Sequence, residues 1–201
     1  MNVNIKPTQK IRKIMESQNG NIFTSDLAKF NIPREYLSLM EKKGEIERVA
    51  RGIYTSTDSI PDEMFHIQKI YKHVIFSHES ALYLFDLSDR TPQKFTVTVP
   101  SGYNATILKE NGMKVFFINR KIHNLGLTIK NSAFGNPIRS YNVERTICDI
   151  VRNKNQIDIQ ILNDALKKYA LSKDKNIDLL YGYAKKLRVY KFIREYIEIM
   201  L

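Results

Sequence analysis

The sequence predicts an α+β fold in two parts. Residues 1–57 form a unit of three helices and a β-hairpin, and residues 62–201 form a mixed α+β domain with a helical C-terminal tail. Three observations carry this. Apolar residues recur at helical spacing up to Gly44, where the period switches to two. Residues 56–61, Ser-Thr-Asp-Ser-Ile-Pro, are polar and turn-rich and read as a short linker. Beyond them helical and strand patterns alternate, until Val143 begins an almost entirely helical stretch. A length of 201 residues suits one large domain or two small ones.

In the first part, Ile11, Ile14 and Met15 recur at helical spacing after Pro7-Thr8, and Gly20 ends that helix in a left-handed conformation. Ile22 and Phe23 lead to Thr24-Ser25, good N-cap residues for a short helix over Asp26–Phe30. Asn31-Ile32 is a tight turn, and Pro33 takes the first position of a third helix, where its missing N–H costs nothing. That helix runs to about Lys43 and stops at Gly44. Ile46, Arg48 and Ala50 then alternate with Glu47, Val49 and Arg51 as a strand, Arg51-Gly52 turns, and Ile53-Tyr54-Thr55 is a second strand. This order is the winged helix-turn-helix plan.

The third helix divides into two faces. At about 100° per residue, Arg34, Glu35, Ser38, Glu41 and Lys42 share one side, while Tyr36, Leu39 and Met40 share the other and pack on the first helix. An ordinary solvated helix face is the plain reading of the first set. Its setting favours DNA, because Lys42 and Lys43 end the helix beside a hairpin bracketed by Arg48 and Arg51. Arg34 and Ser38 then lie nearest the base edges, with Arg34 suited to a guanine, while Glu35 either accepts from a cytosine amino group or repels phosphate. Thr24 and Ser25 open the second helix, where backbone N–H groups favour a phosphate. Lys42, Lys43, Arg48 and Arg51 hold phosphates or enter the minor groove. One copy offers a small footprint, so two copies on paired half-sites are expected.

In the second part, Asp62–Lys72 reads as helix, Val74–Phe76 as a short strand, and Ser77 as the cap of a helix over Ser80–Leu87. Strands are expected at Lys94–Val99, Lys114–Ile118, Leu125–Lys130 and Ile138–Tyr141. Helices follow at Val143–Arg152, Ile157–Leu171, Ile177–Leu187 and Tyr190–Met200. In this tail Leu162, Leu166, Tyr169, Leu179, Tyr183, Leu187, Phe192 and Tyr196 read as packing residues rather than as a stacking platform for RNA.

Composition narrows the function. Apolar residues are 43% and charged residues 26%, ordinary for a globular chain and unlike a disordered or fibrous one. No apolar run approaches the roughly 18 residues that span a bilayer. The start, Met1–Lys10, is polar and shows no signal peptide, and the single Cys148 excludes a disulfide framework within the chain, so a cytoplasmic location is expected. The net charge of +11 points to a polyanionic partner, most often nucleic acid or an anionic membrane. The first 55 residues hold 10 basic and 6 acidic side chains, concentrating part of this excess in a quarter of the chain.

Catalytic signatures are missing. The sequence has no Gly-x-Gly-x-x-Gly, no Walker A loop and no Gly-x-Ser-x-Gly elbow. His66, His73, His78 and His123 are scattered, and the pair Glu41-x-Lys43 lacks the upstream acid of a nuclease signature. Cys148, between Ile147 and Asp149, reads as a buried structural thiol. No enzyme, cofactor or metal is therefore expected. One cluster stands out: Arg145 and Asp149 lie four apart on one helix face with Arg152 beside them. Its plain reading is a helix-surface ion pair worth a few tenths of a kcal/mol.

Four segments together resemble the AbiEi family of abortive-infection antitoxins, from bacterial type IV toxin–antitoxin systems. They are Phe23–Leu27 with Lys43–Tyr54; Ser77–Leu82; Leu87–Pro92 followed by Phe95–Pro100; and Val143–Arg152. Each is weak alone, but their order and spacing fit the family over nearly the whole chain. The resemblance implies a protein that binds double-stranded DNA at inverted repeats in its own promoter, represses the operon, and counters a nucleotidyltransferase toxin without a stable complex. It also implies that Arg145, Thr146 and Asp149, with Ser80 and Arg152, belong to an antitoxin surface in the second domain. Two rival readings stand beside it. One is a repressor whose second domain only senses a ligand or oligomerises; the other is an enzyme acting on nucleic acid, for which residues 62–201 supply no site.

Overall fold

A computed structural model of the chain describes residues 6–200, with side chains to residue 198. Residues 1–5 of the polar start therefore lie outside the described residues. The chain divides into two compact units, one running up to Tyr71 and including Asn131–Ile138, the other comprising Lys72–Lys130 and the described chain from Arg139 onward. No helix among the described residues is long and apolar enough to cross a membrane.

The first unit contains α1 (Pro7–Ser17), β1 (Asn21–Phe23), α2 (Thr24–Lys29), α3 (Glu35–Lys42), β2 (Ile46–Ala50), β3 (Ile53–Ser56) and α4 (Glu63–Ile70). Its three strands form an antiparallel sheet in the order β1-β3-β2. Ile11, Ile14 and Met15 of α1 meet Leu27, Leu37 and Met40 of α2 and α3 in the core, closed by Ile22, Ile46 and Tyr54 of the sheet. Gly20 has φ +80° and its N–H bonds the Met15 carbonyl at 2.8 Å, so the expected left-handed helix end is present.

Three local expectations need correction, and one short strand was not foreseen. Asn21–Phe23 is a strand, too short to show a period of two. Thr24 and Ser25 are not caps but lie in the first turn of α2: Phe23 holds the cap position, and the Asp26 carboxylate accepts its N–H at 3.3 Å. Pro33 precedes α3 by two residues, because i→i+3 bonds such as Leu37 N–H to the Arg34 carbonyl, 3.0 Å, form a tighter turn first. Finally, α3 is rotated from the expected orientation. Leu37 and Met40 are buried at 1% exposure each, whereas Leu39 is 43% exposed.

The first unit also extends beyond the expected linker. Asp62 caps α4 by accepting the Phe65 N–H at 3.1 Å. The same buried carboxylate accepts the Ser132 hydroxyl and, at 2.8 Å, the Asn136 amide, while Asn19 donates to Asn136 Oδ1 at 3.1 Å. His66 of α4 meets Asn21 Oδ1 at 2.6 Å, and Phe65 sits edge-on to Phe23 with ring centres 5.8 Å apart. Segment 131–138 and α4 thus join the first unit through buried polar contacts, which hydrophobic periodicity does not reveal.

The second unit contains β4 (Ile75–Phe76), α5 (His78–Leu84), β5 (Thr96–Pro100), α6 (Thr106–Glu110), β6 (Lys114–Ile118), β7 (Leu127–Asn131), β8 (Pro137–Tyr141), α7 (Val143–Arg152), α8 (Ile159–Leu171), α9 (Ile177–Leu187) and α10 (Tyr190–Met200). A five-stranded sheet runs β6-β5-β4-β8-β7, with the end of each of its last two strands falling in the first unit. Strand β4 is antiparallel to β5 and parallel to β8, and β5 is parallel to β6. The core packs Leu82, Phe116 and Ile118 against Ile147, Ile150 and Val151 of α7 and against Leu162, Leu166, Tyr169, Leu180 and Leu187 of the tail. Phe192 departs from its expected packing role: it is exposed, with Lys154 Nζ 4.4 Å from its ring centre. Helix α6 is too short for periodicity to mark it.

Candidate nucleic-acid interface

The candidate contacts of the first unit are solvent-facing. Arg34, Glu35, Ser38, Lys42, Lys43, Arg48 and Arg51 are all exposed. Burial of Leu37 and Met40 turns the opposite arc of α3 outward, and a shallow cleft of about 410 Å³ there is lined by Glu35, Tyr36, Ser38, Leu39 and Lys42. Arg34 lies at the start of this helix and Lys43 at its end, so neither lines that cleft.

Hairpin β2–β3 carries Arg48 and Arg51 around a register shift between Arg48 and Ala50. Gly52 in its turn has φ +77°, and an added Cβ would lie 2.7 Å from Thr24 Oγ1. The Gly52 carbonyl also accepts the Thr24 N–H at 3.0 Å. Thr24 is therefore half-buried and tied to the hairpin turn, while Ser25 is exposed. A second cleft, about 620 Å³, brings Ser25, Lys29, Arg51 and Lys69 together. Lys69 was not singled out from sequence. Its Nζ lies 4.7 Å from the ring centres of both Phe23 and Phe65, which holds the ammonium in place at the cleft. A lysine in a helix looks like any other surface cation until those two rings are placed beneath it.

The second unit buries most of the residues expected on the antitoxin surface. Ser80, Arg145 and Thr146 have 0% exposure and Asp149 has 2%; of the five residues only Arg152 reaches solvent. Arg145 Nε donates to both Asp149 oxygens, at 3.1 and 3.0 Å, and Nη1 donates to the Ile122 and Leu125 carbonyls, at 3.1 and 2.7 Å. Its guanidinium lies 4.1 Å from the Tyr141 ring centre. The pair is thus neither an exposed ion pair nor a presented surface but a buried structural centre. Burial pushes the Asp149 carboxyl up from its usual range, and Arg145 opposes that rise. Ser80 and Thr96 exchange hydrogen bonds of 2.8 Å, each backbone N–H donating to the other's hydroxyl oxygen. Cys148 is buried, and burial raises its thiol pKa, as an inert core cysteine requires.

Sequence reasoning also missed His78. The residue takes a left-handed φ of +48° and stacks on Phe116, with ring centres 3.6 Å apart. Asn153 Nδ2 lies 2.9 Å from Nε2 and must donate, so Nε2 is the unprotonated nitrogen and Nδ1–H donates to Ser77 Oγ at 2.9 Å. Burial, helped by Lys114, Arg145 and Arg152, holds its pKa well below the ordinary value. The folded ring stays neutral at pH values where the unfolded ring takes up a proton. Stability therefore falls as pH drops below about 6.5, by at most about 1.4 kcal/mol per pH unit from this residue, and is flat above about 7.5. Thermal melts of the full chain at pH 5 and pH 7.5 check this: His78→Gln should shrink the difference between them.

Residues 9–57 match the protein family described as "Transcriptional regulator, AbiEi antitoxin". The matched segment runs from α1 to the end of the β2–β3 hairpin and so contains α3 and Arg48–Gly52. The structure is similar to the crystal structure of the RV2827C protein from Mycobacterium tuberculosis, with a TM-score of 0.64, 10% identity, and coverage of 94% of this chain and 75% of that one. At that identity the likeness concerns the fold. No curated protein matches the sequence.

Proposed function

We propose that this chain, whose residues 9–57 match the AbiEi antitoxin regulators, is the antitoxin of a type IV toxin–antitoxin system and the repressor of its own operon. On this reading the first unit is a winged helix-turn-helix. Helix α3 enters the major groove, and Arg48 and Arg51 follow the phosphate backbone from the wing. Two copies occupy inverted repeats in the promoter. The observation that carries the reading is that Arg34, Lys42, Lys43, Arg48 and Arg51, at the ends of α3 and on the hairpin, are all exposed inside the matched segment. We take the protein to act in the cytoplasm, without catalysis or cofactor, and to counter a nucleotidyltransferase toxin without a stable complex.

The burial of Ser80, Arg145, Thr146 and Asp149 favours a second reading, a repressor whose other unit senses a ligand or oligomerises. Expression of the full chain from a foreign promoter, beside its operon neighbour, separates the two. An antitoxin restores growth although its own promoter is bypassed; a pure repressor does not. A promoter–reporter fusion tests repression in parallel, and full reporter activity in the presence of the chain would remove the DNA-binding half of the proposal.

A further inference from the structure

We propose that Leu39 reads the methyl group of a thymine in the major groove. The inference rests on the DNA-binding reading above and adds a specificity determinant to it. Helix α3 buries Leu37 and Met40, so at about 100° per residue its outward arc centres on Glu35 and Lys42, with Ser38 on one side and Leu39 on the other. Leu39 is thus an apolar side chain, 43% exposed, on the same cleft as Glu35, Ser38 and Lys42. The wheel read from sequence placed it in the core, but Leu37 fills that position.

The major groove offers one apolar group on unmodified base edges, the C5-methyl of thymine, beside the donors and acceptors of the other edges. Glu35 suits a cytosine amino group and Lys42 a guanine edge or a phosphate; neither has a use for the methyl. An apolar residue set among them has a partner on the duplex only if a thymine faces it. Burying that methyl against Leu39 removes apolar surface from water on both sides, and one methyl corresponds to about fourfold in affinity.

The test uses the full chain and the DNA upstream of its own reading frame or, if that is not bound, a duplex selected by the wild-type chain from a random pool. Each thymine is replaced in turn by deoxyuridine, which deletes only the methyl. At one or two positions per half-site the wild type should weaken about fourfold. Leu39→Ala should bind the thymine duplex with a similar loss and be indifferent to deoxyuridine at those positions, while Leu39→Met keeps much of the discrimination. Because Leu39 is outside the core, the melting temperatures of both variants should match the wild type. Binding unaffected by every replacement would overturn the role of Leu39 and leave DNA binding intact. So would a Leu39→Ala variant as sensitive to the methyl as the wild type, or one that changed only the oligomeric state. A wild-type chain that bound no duplex would overturn both proposals.

Discussion

Asp149→Ala will unfold the second unit at temperatures the wild-type chain withstands. The substitution leaves the Arg145 guanidinium at 0% exposure with no counter-ion, its remaining bonds going to the Ile122 and Leu125 carbonyls. Breaking a buried pair by removing one partner costs about 3–5 kcal/mol, against a total stability of roughly 5–15 kcal/mol for a domain. A fall in Tm on the order of 15 °C is expected. Replacing both partners, as Arg145→Met with Asp149→Leu, should recover a large part of the loss, because no uncompensated charge then stays buried. Circular-dichroism melts of the three proteins decide the matter. If Asp149 instead acted by contacting a toxin, Asp149→Ala would lose activity at an unchanged Tm.

The second large effect is electrostatic. Lys42, Arg48 and Arg51 are exposed, and only Arg48 among them has a hydrogen bond within the unit, a 3.4 Å contact to the Ala50 carbonyl. Replacing all three by alanine should leave the fold intact and weaken promoter binding by on the order of 10²-fold at about 0.1 M salt. Each lost phosphate contact lowers the slope of log affinity against log salt by about 0.9. Titrations of wild type and triple variant across a range of salt should give lines of different slope that converge at high salt. Parallel lines would mean that these cations do not touch the DNA backbone.

What the sequence made legible follows from which forces leave a periodic trace. The hairpin 46–56 and the helix 143–152 were readable because alternation and helical spacing are strong there. The error at Leu39 came from the same logic: Tyr36, Leu39 and Met40 form one arc of a helical wheel, but so do Leu37 and Met40, and only packing on α1 selects between them. Arg145 and Asp149 were singled out correctly as a pair and misplaced as a surface. Their four-residue spacing says that they can meet; it does not say that α7 is covered on nearly every side. The settings of His78 and Lys69 left no trace. Each depends on aromatic rings, Phe116 in one case and Phe23 with Phe65 in the other, that distant stretches of chain bring to it.

The Asp62 carboxylate has a consequence for modularity. It takes donors from Ser132 and Asn136, so the first unit is assembled from two separate stretches of chain. The polypeptide crosses between units at 71/72, 130/131 and 138/139. No single cut separates them, and no single recombination crossover can transplant the N-terminal unit whole. A fragment ending near residue 60 would lack Asp62 and α4 along with segment 131–138. The family match ends at residue 57, inside this unit, so gene fusions made there would inherit an incomplete module.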